Sequence, residues 1–189
     1  TPATSSAASD VYKRQTFIIN SYFIEEKLKT NFIDARNCIK TDSNYRGGNI
    51  IWDKTNENIR ANIKINQLNL TQGFIASDKN NFNVTLGREG SDYSAAIFAF
   101  AVNAESLTIW KDVKGLLNGD PKYFKNTELI KTISYSEAIE LAFYGASVIH
   151  PKTLQPLQKK EIPLYVKSFE KPDQNGTEIN KNQSLAQKY

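Results

Sequence analysis

The chain lacks methionine altogether, and among its 189 residues it has one cysteine, Cys38, and one histidine, His150. A lone cysteine excludes a disulfide within the chain and is typical of proteins from a reducing compartment. One cysteine and one histidine also cannot supply a zinc site of the usual kinds. We therefore expect no structural metal site, and the missing methionine favours an internal fragment of a longer product.

Long apolar segments and strong charge of one sign are missing as well. No apolar run approaches the roughly 18 residues that a membrane span needs, and the N-terminus has no signal-peptide core. The 24 basic and 20 acidic residues leave a formal net charge of +4, and the lysines are scattered along the chain. These features predict a soluble, cytoplasmic protein that binds neither a membrane nor nucleic acid.

The first fifteen residues differ in composition from the rest of the chain. Residues 5–15, S-S-A-A-S-D-V-Y-K-R-Q, resemble the translation of a sequencing adapter, and the composition changes abruptly at Thr16. We therefore interpret residues 1–15 as an assembly artefact and expect them to be disordered. The alternative is a natural flexible tail.

Strand-like and helix-like segments alternate along the remaining chain, in patterns set by apolar spacing and capping residues. Strands are predicted over residues 16–20, 32–34, 68–76, 84–86, 106–110, 163–168 and 176–179. Helices are predicted over residues 22–28, 52–63 and 135–144, in a segment that contains the apolar run 95–102, and from Pro151 with an interruption at Pro156. This alternation predicts an α/β fold with an open, mainly parallel sheet covered on both faces.

The central stretch is V-T-L-G-R-E-G-S-D-Y-S, residues 84–94, which predicts a strand, a glycine-rich turn and a helix start. Glycines let backbone N–H groups approach an anion, and a helix N-terminus favours negative charge. Arg88 can hold a carboxylate or phosphate with two parallel hydrogen bonds. The spacing also fits a simpler role for Ser91 and Asp92, as the N-cap and a first-turn residue of the helix.

The segment L-G-R-E-G-S-D-Y-S-A-A resembles the L-G-R-G-G-S-D-Y-T-A-A signature of the aspartokinases, which are members of the amino-acid kinase family. The resemblance continues through I-W-K-D-V-K-G, D-P-K, E-L-A-F-Y-G-A, V-I-H-P and G-T-E-I, and covers roughly residues 31–179. It implies a three-layer αβα sandwich with a mainly parallel open sheet, like that of carbamate kinase, here incomplete.

The resemblance implies transfer of the ATP γ-phosphoryl group, with Mg²⁺, to the side-chain carboxylate of L-aspartate. The product, 4-phospho-L-aspartate, leads to lysine, threonine and methionine. By motif position, Arg88 would grip the α-carboxylate of aspartate, and Ser91 would hydrogen-bond the same substrate. Asp92 would face the substrate amino group and, as the catalytic candidate, help to organise the reacting end.

The nucleotide-binding residues implied by the resemblance are Lys111, Asp112, Gly115, Asp120, Lys122 and Lys152. Lys111 replaces a threonine of the family motif, and Leu117 lies where many members have an aromatic residue. Lys122 replaces an arginine, which retains the charge but loses the planar fork. Ser147 occupies the position of a lysine in many members, and Lys152 is a possible substitute.

Two segments of aspartokinases are missing from this sequence, namely the K-F-G-G-T-S strand and loop, and the regulatory ACT domains. We expect residues 16–180 to be a partial catalytic domain, and residues 181–189 to be a truncated linker toward ACT domains. The parent protein is expected to form a homo-oligomer through those domains. We expect the isolated chain to be inactive because the K-F-G-G-T-S lysine contacts the transferred phosphate.

Several alternatives remain open on the sequence alone. The chain could come from an amino-acid kinase with another substrate, such as glutamate or a nucleotide, or from a nucleotide-binding protein without catalytic activity. Asp34 and Arg36 are expected to form a structural ion pair, and His150 to cap a helix, although either could belong to a site. Trp110 and Phe143 are expected in the core.

Overall fold

The computed structural model describes residues 2–144 and 148–182. The chain divides into two compact units, Thr1–Val102 and Asn103–Tyr189, which we call the N-terminal and C-terminal units. The domain bounds expected from the sequence stay predictions. No helix in the described part of the chain is long and apolar enough to cross a membrane.

The N-terminal unit contains four helices and four strands among its described residues. In chain order they are α1 (Pro2–Glu25), β1 (Thr30–Ile33), α2 (Ala35–Cys38), α3 (Trp52–Asn62), β2 (Leu68–Thr71), β3 (Ile75–Ser77), β4 (Asn83–Thr85) and α4 (Gly90–Val102). Strand β1 pairs with β2 in parallel, whereas β3 and β4 form an antiparallel pair.

The core of this unit lies where α3 and α4 pack together beside the strands. Trp52 of α3 contacts Phe100 of α4, with ring centroids 4.9 Å apart in an edge-to-face arrangement. Helix α4 is buried along most of its length, as its apolar sequence predicts. The core residues are Ile33, Cys38, Ile39, Ile59, Ala76, Val84, Leu86, Ile97 and Ala101. This packing holds the N-terminus of α4 next to the end of β4.

The prediction for the N-terminal segment is wrong in its secondary structure. Helix α1 covers Pro2–Glu25, where the sequence predicted disorder over residues 1–15 and a strand over residues 16–20. After Pro2 this segment contains neither glycine nor proline, so no residue that breaks helices interrupts it. The helix also packs against β1 and β4. The adapter interpretation of residues 1–15 stays a prediction.

The C-terminal unit contains β5 (Leu107–Lys111), β6 (Thr132–Ser134), α5 (Tyr135–Phe143), α6 (Pro151–Lys160), β7 (Leu164–Ser168) and β8 (Thr177–Asn180). Its strands form one sheet in the order β5-β7-β8-β6. Strands β5 and β7 are parallel, as are β6 and β8, whereas β7 and β8 are antiparallel. The predicted α/β fold with mostly parallel pairing is confirmed.

The predicted start of α5 is confirmed by its hydrogen bonds. The Ser134 hydroxyl accepts from the Glu137 N–H (3.2 Å), and the Glu137 carboxylate accepts from the Ser134 N–H (3.0 Å), which is a capping box.

The predicted interruption of α6 at Pro156 is wrong, because the helix continues to Lys160. Pro156 is buried with its neighbours Leu154 and Leu157, and this packing outweighs the missing hydrogen bond.

The structure differs from the sequence-based predictions at three further points. The single strand predicted over residues 68–76 is two strands, broken at Phe74, whose φ of +72° is left-handed. Strand β6 was not predicted, since its three residues are too short to show alternation. Trp110 and Phe143 are 49% and 78% exposed, so neither is a core residue of this chain.

Candidate functional site

The turn between β4 and α4 is built from residues 87–90, which we call the glycine turn. Gly87 and Glu89 have φ values of +79° and +52°, and the Gly90 N–H donates to the Gly87 carbonyl (3.1 Å). A Cβ atom on Gly90 would lie 2.6 Å from the Phe74 ring, so only glycine fits there. The turn thus brings the chain directly from the strand into the helix.

The predicted substrate residues lie together at this turn. Arg88 and Ser91 are exposed, and Asp92 is half-buried in the first turn of α4. The helix begins at Gly90, so Ser91 lies inside the first turn and is not the N-cap that the simpler alternative assigned. An exposed guanidinium, a hydroxyl and a carboxylate beside a helix N-terminus can bind a ligand that carries both anionic and cationic groups.

A second segment, which sequence reasoning missed, lies against this turn. A Cβ atom on Gly73 would be 3.1 Å from Cα of Ser91, so the two chain segments are in close contact. The Phe74 N–H donates to the Ser94 hydroxyl (2.8 Å), and the Leu86 N–H donates to the Phe74 carbonyl (2.9 Å). Gly73 itself was the signal in the sequence, because a glycine inside a predicted strand often marks the close approach of another backbone segment.

Asp34 and Arg36 form the structural ion pair that was expected. Arg36 Nε lies 2.9 Å from Asp34 Oδ1, and the same carboxylate caps α2 by accepting from the Arg36 N–H (3.0 Å). Burial raises the pKa of Asp34, but the Arg36 hydrogen bonds and charge outweigh this effect and lower it. The neighbouring Ala35 N–H donates to the buried Gln72 side chain (2.8 Å). These groups support the fold near Gly73.

Burial controls the protonation of two further side chains of this unit. It raises the pKa of the half-buried Tyr93 phenol, which follows Asp92 in the motif. It also raises the pKa of Cys38 to about 11, with Asp34 adding to the effect. Both groups therefore stay protonated near neutral pH, and Cys38 is unsuited to act as a nucleophile.

The first group of predicted nucleotide residues lies at the end of β5 and in the following loop. Lys111 is half-buried, and its carbonyl accepts from the Phe169 N–H (3.0 Å), whereas Asp112 is exposed. The Asp120 carboxylate accepts from the Lys122 N–H (2.8 Å) and so stabilises a turn. The side chain of Lys122 is exposed and available to an anion.

Gly115 has a role in backbone packing that its motif position did not indicate. Its φ is +138°, and a Cβ atom there would lie 2.5 Å from the Thr177 hydroxyl oxygen. That hydroxyl accepts from the Leu116 N–H (2.9 Å) and donates to the Ile130 carbonyl (2.7 Å). Gly115 is thus required to join this loop to β8, and its assignment to nucleotide binding stays a prediction.

His150 caps α6, as expected. Its Nδ1 accepts from the Lys152 N–H (3.1 Å), and its carbonyl accepts from the Thr153 N–H (2.9 Å). The N–H groups of Lys152 and Thr153 already donate within the cap. An anion that approached this helix start would therefore contact the exposed Lys152 ammonium instead of these N–H groups. Ser147 lies outside the described residues. Within residues 2–144 and 148–182, no three His, Cys, Asp or Glu side chains form a metal-binding group.

Replacing Glu89 with glycine is expected to raise the free energy of unfolding by about 1 kcal/mol. Glu89 has a left-handed backbone, and its buried oxygen Oε2 accepts no hydrogen bond from any described residue. Glu161→Gly is the matched control, because Glu161 also has a left-handed φ (+55°) but an exposed carboxylate bound to Lys181 (2.8 Å). Urea unfolding measures both variants, and an equal or larger gain for Glu161→Gly would contradict the explanation.

Comparison with known proteins identifies related sequences and structures. The model of the amino acid kinase family matches residues 6–168. The bifunctional aspartokinase/homoserine dehydrogenase of Buchnera aphidicola is 38% identical over 166 residues, which are 86% of this chain and 20% of that protein. The lysine-sensitive aspartokinase 3 of Escherichia coli is 44% identical over 108 residues, which are 57% of this chain and 24% of that protein.

Among solved structures, E. coli aspartokinase III in complex with aspartate and ADP, in its R-state, is similar with a TM-score of 0.92 and 31% identity. The match covers 98% of this chain and 42% of that one. The chain therefore spans less than half the length of these relatives.

Proposed function

Because the chain belongs to the amino acid kinase family, we propose that it is part of an aspartate kinase. The reaction transfers the γ-phosphoryl group of ATP to the side-chain carboxylate of L-aspartate and yields 4-phospho-L-aspartate and ADP. A carboxylate oxygen forms the new bond to phosphorus, and the bond to the β,γ-bridging oxygen breaks. The observation that carries the proposal is the grouping of Arg88, Ser91 and Asp92 at the glycine turn.

The grouping at the glycine turn matches the charges of an amino-acid substrate. Arg88 would hold the α-carboxylate of aspartate in a two-pronged pair, and Ser91 would add a hydrogen bond to the same substrate. Asp92 would accept from the ammonium group. Together these contacts orient the side-chain carboxylate for attack, and orientation is a large part of what phosphoryl transfer requires from the protein. The relative whose structure contains aspartate and ADP supports this choice of substrate.

The nucleotide contacts are proposed for the C-terminal unit. The Lys111, Lys122 and Lys152 side chains would neutralise phosphate charge, since Lys122 and Lys152 are exposed and Lys111 is half-exposed. Mg²⁺ usually binds through phosphate oxygens and one or two carboxylates, so the lack of a three-residue acidic cluster among the described residues is compatible with it. The exposed Asp112 is the carboxylate that we assign to the ion. When bound, Mg²⁺ would neutralise charge on the β- and γ-phosphates.

Calorimetric titration of the purified chain tests this proposal. We expect L-aspartate to bind at least about tenfold more tightly than L-glutamate, whose side chain is one methylene longer. Mg²⁺–ADP should bind independently of the amino acid. Failure of aspartate to bind, or a preference for glutamate, would overturn the assignment.

We also expect the isolated chain to form no aspartyl phosphate from ATP and aspartate. No segment like K-F-G-G-T-S occurs within these 189 residues, so the lysine that contacts the transferred phosphate in the family is not supplied. A hydroxylamine assay for acyl phosphate measures this directly, and turnover would contradict the expectation. The parent's localisation in the cytoplasm and its assembly through ACT domains stay predictions.

A second candidate is a nucleotide-binding protein without kinase activity. It is favoured by the substituted positions Lys111, Leu117 and Ser147 in the nucleotide half. Binding of Mg²⁺–ADP with no measurable binding of aspartate would favour this candidate over the kinase.

A further inference from the structure

We propose that Ser94 is a positioning residue for the amino-acid site, because its hydroxyl joins the Phe74 backbone to the first turn of α4. The inference rests on the proposed function and adds a residue that lies beneath the substrate-binding side chains. Ser94 is 2% exposed and cannot itself touch a ligand in the solvent-accessible part of the turn. Its effect on binding must therefore act through the groups that it holds.

The Ser94 hydroxyl makes two hydrogen bonds that link separate parts of the chain. It accepts from the Phe74 N–H (2.8 Å), a residue 20 positions away, and donates to the Gly90 carbonyl (2.9 Å). The first bond reaches the break between β2 and β3, and the second reaches the glycine turn. One buried hydroxyl thus sets the spacing between the two segments that meet at Ser91.

Phe74 needs such support because its backbone is strained. Its φ of +72° is uncommon for an aromatic residue, and a conformation that costs energy in this way persists only where the surrounding structure holds it. Its N–H is held by Ser94, and its carbonyl accepts from the Leu86 N–H (2.9 Å). Removal of the Ser94 hydroxyl would remove this hydrogen bond and favour relaxation of this turn.

Relaxation at Phe74 would be transmitted to the predicted substrate residues by direct contact. Gly73 lies so close to Ser91 that a Cβ atom added to Gly73 would be 3.1 Å from both Cα and Cβ of Ser91. The Phe74 ring packs over Gly90, because a Cβ atom added to Gly90 would lie only 2.6 Å from Cδ2 of Phe74. A shift of residues 73–74 would therefore displace Ser91 and the start of α4.

A matched control is available in the same unit. Thr55 is fully buried, and its hydroxyl accepts from the Lys40 N–H (3.0 Å) and donates to the Lys40 carbonyl (3.3 Å). Like Ser94, it secures backbone groups of a distant segment. Unlike Ser94, it bonds neither Phe74 nor the glycine turn, so its loss reports the general cost of removing a buried hydroxyl.

The test compares Ser94→Ala, Ser94→Thr and Thr55→Ala in the full 189-residue chain, by thermal unfolding and by calorimetric titration with L-aspartate at low temperature. Ser94→Ala and Thr55→Ala should both lower the melting temperature. Only Ser94→Ala should weaken aspartate binding, by about tenfold, because misplaced binding groups lose affinity steeply. Ser94→Thr retains the hydroxyl and should bind aspartate like the wild type.

Hydrogen exchange of the wild type supplies a measurement that does not depend on folding of the variants. Bound aspartate should slow exchange of the Phe74 amide several-fold more than exchange of the Lys40 amide. Equal slowing, or equal loss of affinity in Ser94→Ala and Thr55→Ala, would overturn the positioning role while leaving the proposed function intact. No binding of aspartate by the wild type would instead reject the proposed function.

Discussion

Replacing Arg88 with alanine is expected to weaken aspartate binding at least about a hundredfold, the largest effect of any single side chain in the N-terminal unit. Arg88 is exposed on the glycine turn, and its guanidinium is the group suited to a paired contact with the α-carboxylate. Calorimetric titration with L-aspartate measures the loss. Because Arg88 is on the surface, the free energy of unfolding should change little.

Two controls separate the paired contact from general charge. Arg88→Lys keeps the charge but loses the planar fork, so we expect an intermediate loss of about tenfold. Lys64→Ala removes one positive charge from another exposed position of the same unit and should leave aspartate affinity unchanged. If Arg88→Ala and Lys64→Ala weakened binding equally, Arg88 would contribute only to the net charge, and its assigned contact would be wrong.

Replacing Gly115 with alanine is expected to lower the free energy of unfolding by about 3 kcal/mol or more. The added methyl group would lie 2.5 Å from the Thr177 hydroxyl oxygen and 3.0 Å from the Thr177 backbone nitrogen. The φ of +138° is itself unfavourable for alanine. Displacement of Thr177 would also break its hydrogen bonds to Leu116 and Ile130. Urea unfolding monitored by circular dichroism measures the loss.

Gly47→Ala is the control for this substitution. A Cβ atom on Gly47 would meet no atom within 4 Å, so the same change should be nearly neutral or slightly stabilising there. If Gly115→Ala kept the stability of the wild type but lost Mg²⁺–ADP binding, the glycine would serve the nucleotide directly. The packing role assigned to it here would then be wrong.

Local sequence signals predicted the features that depend on near neighbours. The capping box of α5 joins residues three positions apart, and His150 caps the helix that begins at the next residue. The burial of α4 follows from its own apolar composition. In each case the partners lie within one or two helical turns, where spacing alone determines which groups can meet.

Where the local signals predicted wrongly, tertiary packing determined the structure. Pro156 was expected to interrupt α6, but burial of the surrounding apolar face holds the helix through it. Trp110 has the apolar character of a core residue, yet it lies on the exposed side of β5. An apolar side chain can be buried, but the position of its strand in the fold decides which face of the strand packs against other elements.

The sequence by itself determined the fold class, the family and the chemical groups of the candidate substrate site, because these depend on residue types at short spacing. Only the tertiary structure decided what supports that site. The left-handed backbone of Phe74 depends on a hydroxyl 20 positions away, and the packing of Gly115 depends on Thr177, which bonds Leu116 across 61 positions. Such contacts select backbone conformations that are unfavourable locally, so no local pattern predicts them.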